Sequence, residues 1–268
     1  MFPSLYGVVS QGTAVPSGTT LYTVTTTGAQ THNIASLGVS AAVTVYWGDG
    51  NSDIYTGTAA RSHAYAGAGT WVVSVDEPLY VTTLNLNDNK ITLNSADVAA
   101  MANVIDFRVY SLKAGTFDSA DVSAWRPAVF RLHVMPAGYA GTFDSADVSA
   151  WQPAYFYLHS MPAGYAITAG GGFANWSTTV NFYVQNNGLT AGTVDAILWE
   201  LYQASTVPRT ASGGTINISD SNAAPSGTYQ AATSCPVTVA TPGKEIAHEL
   251  KNDGCAVGFN KWTTVTTS

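Results

Sequence analysis

Gly115-Thr-Phe-Asp-Ser-Ala-Asp-Val-Ser-Ala-Trp125 recurs without a change as Gly141-Thr-Phe-Asp-Ser-Ala-Asp-Val-Ser-Ala-Trp151, 26 residues further on. Leu132-His133 returns as Leu158-His159, and Met135-Pro-Ala-Gly-Tyr-Ala140 returns as Met161 to Ala166. A chain that repeats at a fixed short period builds one small unit many times, each burying its apolar side against the next. The unit extends beyond the identical copies. Leu84-Asn-Leu86, Phe107-Arg-Val109, Phe130-Arg-Leu132, Phe156-Tyr-Leu158 and Phe182-Tyr-Val184 alternate apolar, polar, apolar, with first members 23, 23, 26 and 26 residues apart. Ile216-Asn-Ile218 follows after a longer insertion. Period-two alternation predicts a short strand at each of the six.

Between the strands, Ser95-Ala-Asp-Val98, Ser119-Ala-Asp-Val122 and Ser145-Ala-Asp-Val148 place Ser or Asp before an apolar residue, as a helix N-cap does. Val98/Met101, Val122/Trp125 and Val148/Trp151 have the spacing of one buried helical stripe, and Pro127 and Pro153 are expected to end each short helix. Asp118, Asp121, Asp144 and Asp147 read as capping residues. Catalytic carboxylates must converge in a cleft, whereas repeat-related residues stack along a surface. Val81-Thr-Thr-Leu84-Asn-Leu86-Asn-Asp-Asn89-Lys-Ile91 fits L-x-x-L-x-L-x-x-N-x-L, and Phe182-x-Val184-x-x-Asn187-x-Leu189 keeps its end. These residues resemble the leucine-rich repeat family. The resemblance implies a solenoid of about six strands over 78–219, with an asparagine ladder interrupted where the middle copies lack Asn. A helix is predicted over Thr193–Ala204, and residues 220–268 read as a C-terminal cap over the last apolar face.

The first third differs. Val43-Thr-Val45-Tyr-Trp47-Gly-Asp-Gly50 ends a strand in a tight turn, and His63-Ala-Tyr65-Ala-Gly-Ala-Gly69-Thr-Trp71-Val-Val73-Ser-Val75 enters another through glycines. These motifs resemble the polycystic-kidney-disease (PKD) type of Ig-like β-sandwich. The resemblance implies a small sandwich over 19–77, with further strands near Leu21–Thr26 and His32–Ile34, leaning on the repeats because it is smaller than a standard sandwich. Asp49 and Asp53 could ligate calcium, but a turn-shaping role for Asp49 is the simpler reading. His63 reads as a structural hydrogen-bonding residue. Residues 1–18 form a Pro/Gly/Ser-containing arm.

Composition narrows the function. Of 268 residues, 10 are basic and 17 acidic, a net charge of −7, which argues against nucleic acid or an anionic membrane as partner. No apolar run approaches the roughly 18 residues of a membrane span. Few charges, many Thr and aromatic residues and 25 Gly indicate a mainly β chain with short helices. No G-x-S-x-G, H-E-x-x-H or P-loop occurs, so no enzyme, cofactor or metal site is expected. Cys235 and Cys255 either form one bridge or stay free thiols.

Strand parity identifies a candidate surface. With the Phe-x-Leu pairs inward, the intervening residues face the concave side of the repeats. One column is Asn85, Arg108, Arg131, Tyr157, Tyr183 and Asn217; its neighbour is Asn87, Tyr110, His133, His159, Gln185 and Ser219. Aromatic faces beside hydrogen-bonding groups suit a sugar, and Tyr with Arg suits a protein epitope equally. A plain solvated strand face has the same composition.

The C-terminal part carries a last resemblance. Thr193-Val-Asp-Ala-Ile-Leu-Trp-Glu-Leu201, Gly213-Gly-Thr-Ile-Asn-Ile-Ser219, Asn222-Ala-Ala-Pro-Ser226 and Trp262-Thr-Thr-Val-Thr-Thr-Ser268 resemble a tail found in many bacteriophage structural proteins, with residues 233–258 inserted. It implies a non-catalytic protein on the virion surface, most simply a capsid decoration or accessory protein contacting major capsid or tail protein. Phe2, Pro3, Leu5 and Tyr6 of the arm are its candidate attachment residues. The alternative is a tail- or vertex-associated adhesin that binds a host glycan or protein through the concave face. Met1-Phe2-Pro3-Ser4-Leu5-Tyr6 does not read as a signal peptide, which suits release by lysis. A homo-oligomer is compatible with either role.

Overall fold

The computed structural model describes residues 18–206, 211, 213–232, 237–252 and 262–268. The arm residues Phe2, Pro3, Leu5 and Tyr6, and both cysteines, Cys235 and Cys255, lie outside the described residues. The chain is mainly β. It opens with four antiparallel strands, β1 (Thr19–Thr27), β2 (Gln30–Tyr46), β3 (Ser52–Tyr65) and β4 (Ala68–Val75), in which β1 pairs with β4 and β2 with β3. β2 merges into one 17-residue strand what the pattern separates into His32–Ile34 and the alternating run that enters the Gly48-Asp49-Gly50 turn. Register shifts between Ile34 and Leu37 and between Val39 and Val43 let it bend without ending. β3 carried no strand signal because nearly all of it is exposed, so no apolar alternation marks it.

The strands that follow alternate between two rows. β5 (Val81–Asn87), β7 (Asp106–Tyr110), β9 (Val129–His133), β11 (Tyr155–His159), β13 (Asn181–Tyr183), β14 (Thr215–Ile218) and β15 (Thr264–Thr267) are parallel neighbours in the first row. β6 (Ile91–Asn94), β8 (Ala114–Thr116), β10 (Thr142–Asp144) and β12 (Ala166–Thr168) make the second, where β6 pairs with β8, β10 with β12, and one bridge links Thr116 to Ala140. Leu84, Phe107, Phe130, Phe156, Phe182 and Ile216 stand directly opposite one another across the first row. The 23- and 26-residue steps therefore preserve register. β15 adds a strand beyond the six, with Val265 opposite Ile216.

Each return segment is a single turn: α1 (Ser95–Val98), then 3₁₀ turns at Ser119–Val122, Ser145–Val148 and Gly172–Asn175. These turns stop well before Pro127 and Pro153, so proline is not what ends them. The amides of Trp125 and Trp151 close back onto the carbonyls of Val122 and Val148, turning the chain toward the next strand.

The core is a set of aromatic stacks. Phe107, Phe130, Phe156 and Phe182 stack at centroid distances of 5.7, 5.5 and 5.2 Å. Trp125, Trp151 and Trp176 stack at 6.4 and 6.5 Å. All seven are essentially fully buried, and each contributes on the order of 3 kcal/mol of apolar burial. Both rows begin on the antiparallel strands: β2 pairs with β5 through Ser36–Val39, and β1 pairs with β6 through Thr23 and Val24. At the other end lie α2 (Ala191–Thr206) and α3 (Gly243–Asn252). Val194, Ile197, Leu198 and Leu201 of α2 are buried, as their spacing predicts. Among the described residues, no helix is long and apolar enough to cross a membrane.

Candidate functional site

The polar residues of the antiparallel strands are engaged with one another. Asp49 accepts the amide of Asn51 and meets His63 Nε2 at 2.8 Å, and His63 lies flat on Trp47 at 4.8 Å. Burial pushes the Asp49 carboxyl up, but the hydrogen bonds from His63 and Asn51 outweigh it and hold the pKa below the ordinary value. Asp53 accepts the Trp47 indole N–H at 2.7 Å, and Tyr65 donates to the Trp47 carbonyl at 2.9 Å. The two aspartates thus hold different groups of the Trp-Gly-Asp-Gly turn, and among the described residues no three acidic, His or Cys groups gather as for a metal. One buried relay escaped the sequence patterns: Tyr22 Oη meets His32 Nε2 at 3.0 Å, and His32 Nδ1 meets Asp88 at 3.1 Å. It ties β1 and β2 to the turn after β5. Burial keeps His32 below its usual pKa despite Asp88.

The return segments carry a second network, between coils (each one first-row strand with the return segment that follows it) rather than within them. Ser95 donates to Asp121, Ser119 to Asp147 and Ser145 to Glu200, at 2.5, 2.6 and 2.9 Å. The same hydroxyls accept the amides of Asp118, Asp144 and Gly170 from the next coil. The capping expectation is therefore corrected: only Asp144 caps its own turn, through the Ala146 amide, while Asp118 accepts from Thr142 one coil on. At the last coil Gly172-Phe173 replace the Ala-Asp pair, and Glu200 of α2 supplies the missing carboxylate, accepting also from Gly171 and Phe173. Burial raises its pKa despite these bonds.

The asparagine positions are corrected too. Asn89 is exposed, because β5 is flanked by antiparallel β2 and has no preceding coil to bridge. Leu112, Met135 and Met161 fill the equivalent middle positions and are buried. Asn187 donates to the carbonyls of Leu158 and Val184, and Asn222 donates to those of Val184 and Ile218. Asn222 belongs to the Asn-Ala-Ala-Pro-Ser motif, so that motif extends the ladder.

The two outward columns form as parity predicts, and their residues are partly exposed. Tyr110, His133 and His159 stack at 5.1 and 4.7 Å with planes within 10° and 19°. Beside them Arg131 lies over Tyr157 at 4.5 Å, and Tyr157 stacks on Tyr183 at 4.6 Å with planes 4° apart. These separations match the spacing of strands, about 4.8 Å, so the rings stand upright and cover one another's faces. What the strip presents outward is ring edges, hydroxyls and nitrogens. The platform of open aromatic faces expected from composition is not what forms.

Arg108 is bound by Asp106 through two hydrogen bonds of 2.7 and 2.8 Å. Asp106 was missed, although its i, i+2 spacing on one strand signals it. Asn217 accepts from Ser219, closing the last rung on itself. Elsewhere on the strip, the Oδ1 of Asn85, Nε of Arg131, Nδ1 of His133 and Oε1 of Gln185 have no hydrogen-bond partner among the described residues. Burial, His159 and Arg131 pull the His133 pKa down to about 4, and burial lowers His159. At neutral pH both imidazoles are uncharged, and Arg131 carries a charge that no carboxylate of the described residues pairs.

No protein-family model, curated protein or solved structure matches the chain. The family resemblances rest on the sequence motifs alone.

Proposed function

We propose that the chain is a non-catalytic structural protein displayed on the surface of a bacteriophage particle, as a capsid decoration or accessory protein. In this reading β1–β4 are a PKD-like sandwich, the coils are a leucine-rich-type solenoid, and α2 through β15 are its cap. The observation that carries it is the phage-type tail motif, whose quoted residues bond to one another. Asp195 of Val-Asp-x-Ile-Leu accepts the amide of Ser226 of Asn-Ala-Ala-Pro-Ser at 2.9 Å. Asn222 of the same motif donates to the carbonyl of Ile218 in Gly-Gly-Thr-Ile-Asn-Ile-Ser at 3.3 Å. The strand after Gly213-Gly214 pairs with the last motif strand, β15. The motif thus behaves as one folded device. Attachment is assigned to the N-terminal region, including Phe2, Pro3, Leu5 and Tyr6.

The test is the copy number of the chain in purified particles, measured by quantitative mass spectrometry against the major capsid protein. A ratio near one, or a simple fraction of it, is expected. Absence from the particle overturns the proposal. Deletion of residues 1–18 should abolish particle binding while leaving the far-UV circular dichroism unchanged. The second reading, a tail or vertex adhesin, is favoured by the strip of unpartnered polar groups, and a handful of copies per particle would select it.

A further inference from the structure

We propose that the outward strip across β5 to β13 binds an acidic oligosaccharide, with a ligand carboxylate seated on Arg131. The inference rests on the surface-exposed, non-catalytic reading above and names the ligand class of the strip.

Three observations converge. The first is the set of unpartnered polar atoms on the strip, set beside the satisfied serines of the repeated Ser-Ala-Asp motif. On the return side, each Ser hydroxyl of the repeated Ser-Ala-Asp motif both donates to a carboxylate and accepts an amide from the next coil. On the strip, four side chains hold polar atoms without a partner. Buried polar groups are almost always satisfied; the Trp125 and Trp151 indoles and the Tyr139 hydroxyl are further exceptions inside the repeats, but those on the strip lie on its two outward columns, next to solvent. A ligand supplies their partners, through small rotations of these side chains.

The second observation concerns the two arginines. Arg108 and Arg131 occupy the same register on adjacent strands. Arg108 has Asp106. The position equivalent to Asp106 is Val129 on β9 and Tyr155 on β11, so Arg131 lacks that carboxylate. Its guanidinium makes no hydrogen bond to the described residues and is held in place by the Tyr157 ring. The ring fixes the cation without neutralising it. Guanidinium recognises a carboxylate through paired hydrogen bonds. The histidines beside it are neutral and do not add positive charge that would favour a polyanion such as nucleic acid.

The third is the stacking itself. Because the rings cover one another, the strip offers a line of hydroxyl, imidazole, amide and guanidinium tips, repeating every strand, about 4.8 Å apart. None of the large exposed apolar side chains belongs to its two columns. A protein partner anchors on apolar and aromatic pockets. A chain of sugars anchors on repeated hydrogen-bonding groups, and an oligosaccharide lying across the strands meets them in sequence.

The experiment is isothermal titration calorimetry of the full chain with oligogalacturonate and with uncharged galacto-oligosaccharide of equal length, in low and moderate salt. We expect oligogalacturonate to bind with salt-sensitive affinity and the uncharged oligomer to bind at least tenfold more weakly. Arg131→Gln should lose at least tenfold, whereas Arg126→Gln, an exposed arginine on the return segment and off the strip, should lose less than threefold. Equal circular dichroism and melting of the variants checks that each is folded. Equal binding of both oligomers, or no effect of Arg131→Gln, overturns the assignment of Arg131. No binding of either oligomer, with the chain still present on particles, overturns the inference and leaves the particle reading intact. Arg131-dependent oligogalacturonate binding by a chain absent from particles does the reverse. Loss of self-association rather than sugar binding in Arg131→Gln would make the strip a contact between copies and also overturn it.

Discussion

Five residues other than glycine hold a positive φ among the described residues: Ser111, Val134, Ser160, Asn186 and Asp220. Each follows the outward column by one position, where the chain leaves the first row, and the first four give their amides to a carbonyl one coil on. The left-handed bend is thus a property of the coil, not of any one residue. Asn186 and Asp220 suit it, but Val134 at φ +56° does not, because a β-branched side chain crowds the backbone there. Val134→Asn should raise stability by about 1 kcal/mol in urea unfolding. Nothing in the sequence marks these bends, since no glycine or shared residue type occupies them. Ser119 is fully buried and serves two partners. Ser119→Ala should cost about 2 kcal/mol by stranding the Asp144 amide and the Asp147 carboxylate, as read from the same unfolding curves. His133 gives a pH signature. The unfolded chain takes up its proton near pH 6.5, and the folded chain only near pH 4. The stability linked to His133 is therefore intact above pH 6.5 and lost as pH falls from 6.5 toward 4. His133→Phe, which keeps the stack, should flatten that part of a stability-versus-pH curve, while His32 and His159, shifted the same way, leave a residual slope.

At the scale of elements, the register of the first row was legible because Leu84, Phe107, Phe130, Phe156, Phe182 and Ile216 must all be buried and a one-residue slip would expose them. Helix α2 was legible from its stripe for the same reason. The return segments were legible in position but only the first, α1, in kind: Val122/Trp125 spacing fits an α-helix, yet a 3₁₀ turn ending at Val122 still leaves both residues buried. The candidate strip was legible as two columns, but the upright stacking of its rings was not, because parity fixes a side and not a ring orientation. The identical stretches 115–125 and 141–151 also make a deletion test. Removing residues 115–140 joins Ala114 to Gly141, restoring the same local sequence, and puts Phe156 where Phe130 stood relative to Phe107. Contacts in such stacks run between nearest neighbours, so the shortened chain should keep its far-UV circular dichroism and unfold cooperatively. It also loses Arg131 and His133.

For the molecule as a whole, the junction decides how it unfolds. The pattern read as two neighbouring units shares hydrogen-bonded strands at two places, β2 with β5 and β1 with β6, and one continuous set of buried side chains runs through both. Calorimetry should therefore show one transition spanning both parts; two separated peaks would refute this. Gly38 is the sensitive point. A Cβ there would lie 2.7 Å from Thr58 Oγ1 and 2.8 Å from Thr83 Cβ, so Gly38→Leu should wedge β2 from β5 and lower that single transition temperature. Short sequence motifs did not reveal the junction, because pairing partners 42 to 69 residues apart leave no local periodicity. The same junction fixes one end of the stack, while α2 and its Glu200 close the other. Everything between is interchangeable rungs. An in-frame slip that copies one repeat would lengthen the row of tips by a single strand width and leave both ends unaltered, giving the protein a reach that can be reset in steps without redesigning how it starts or stops.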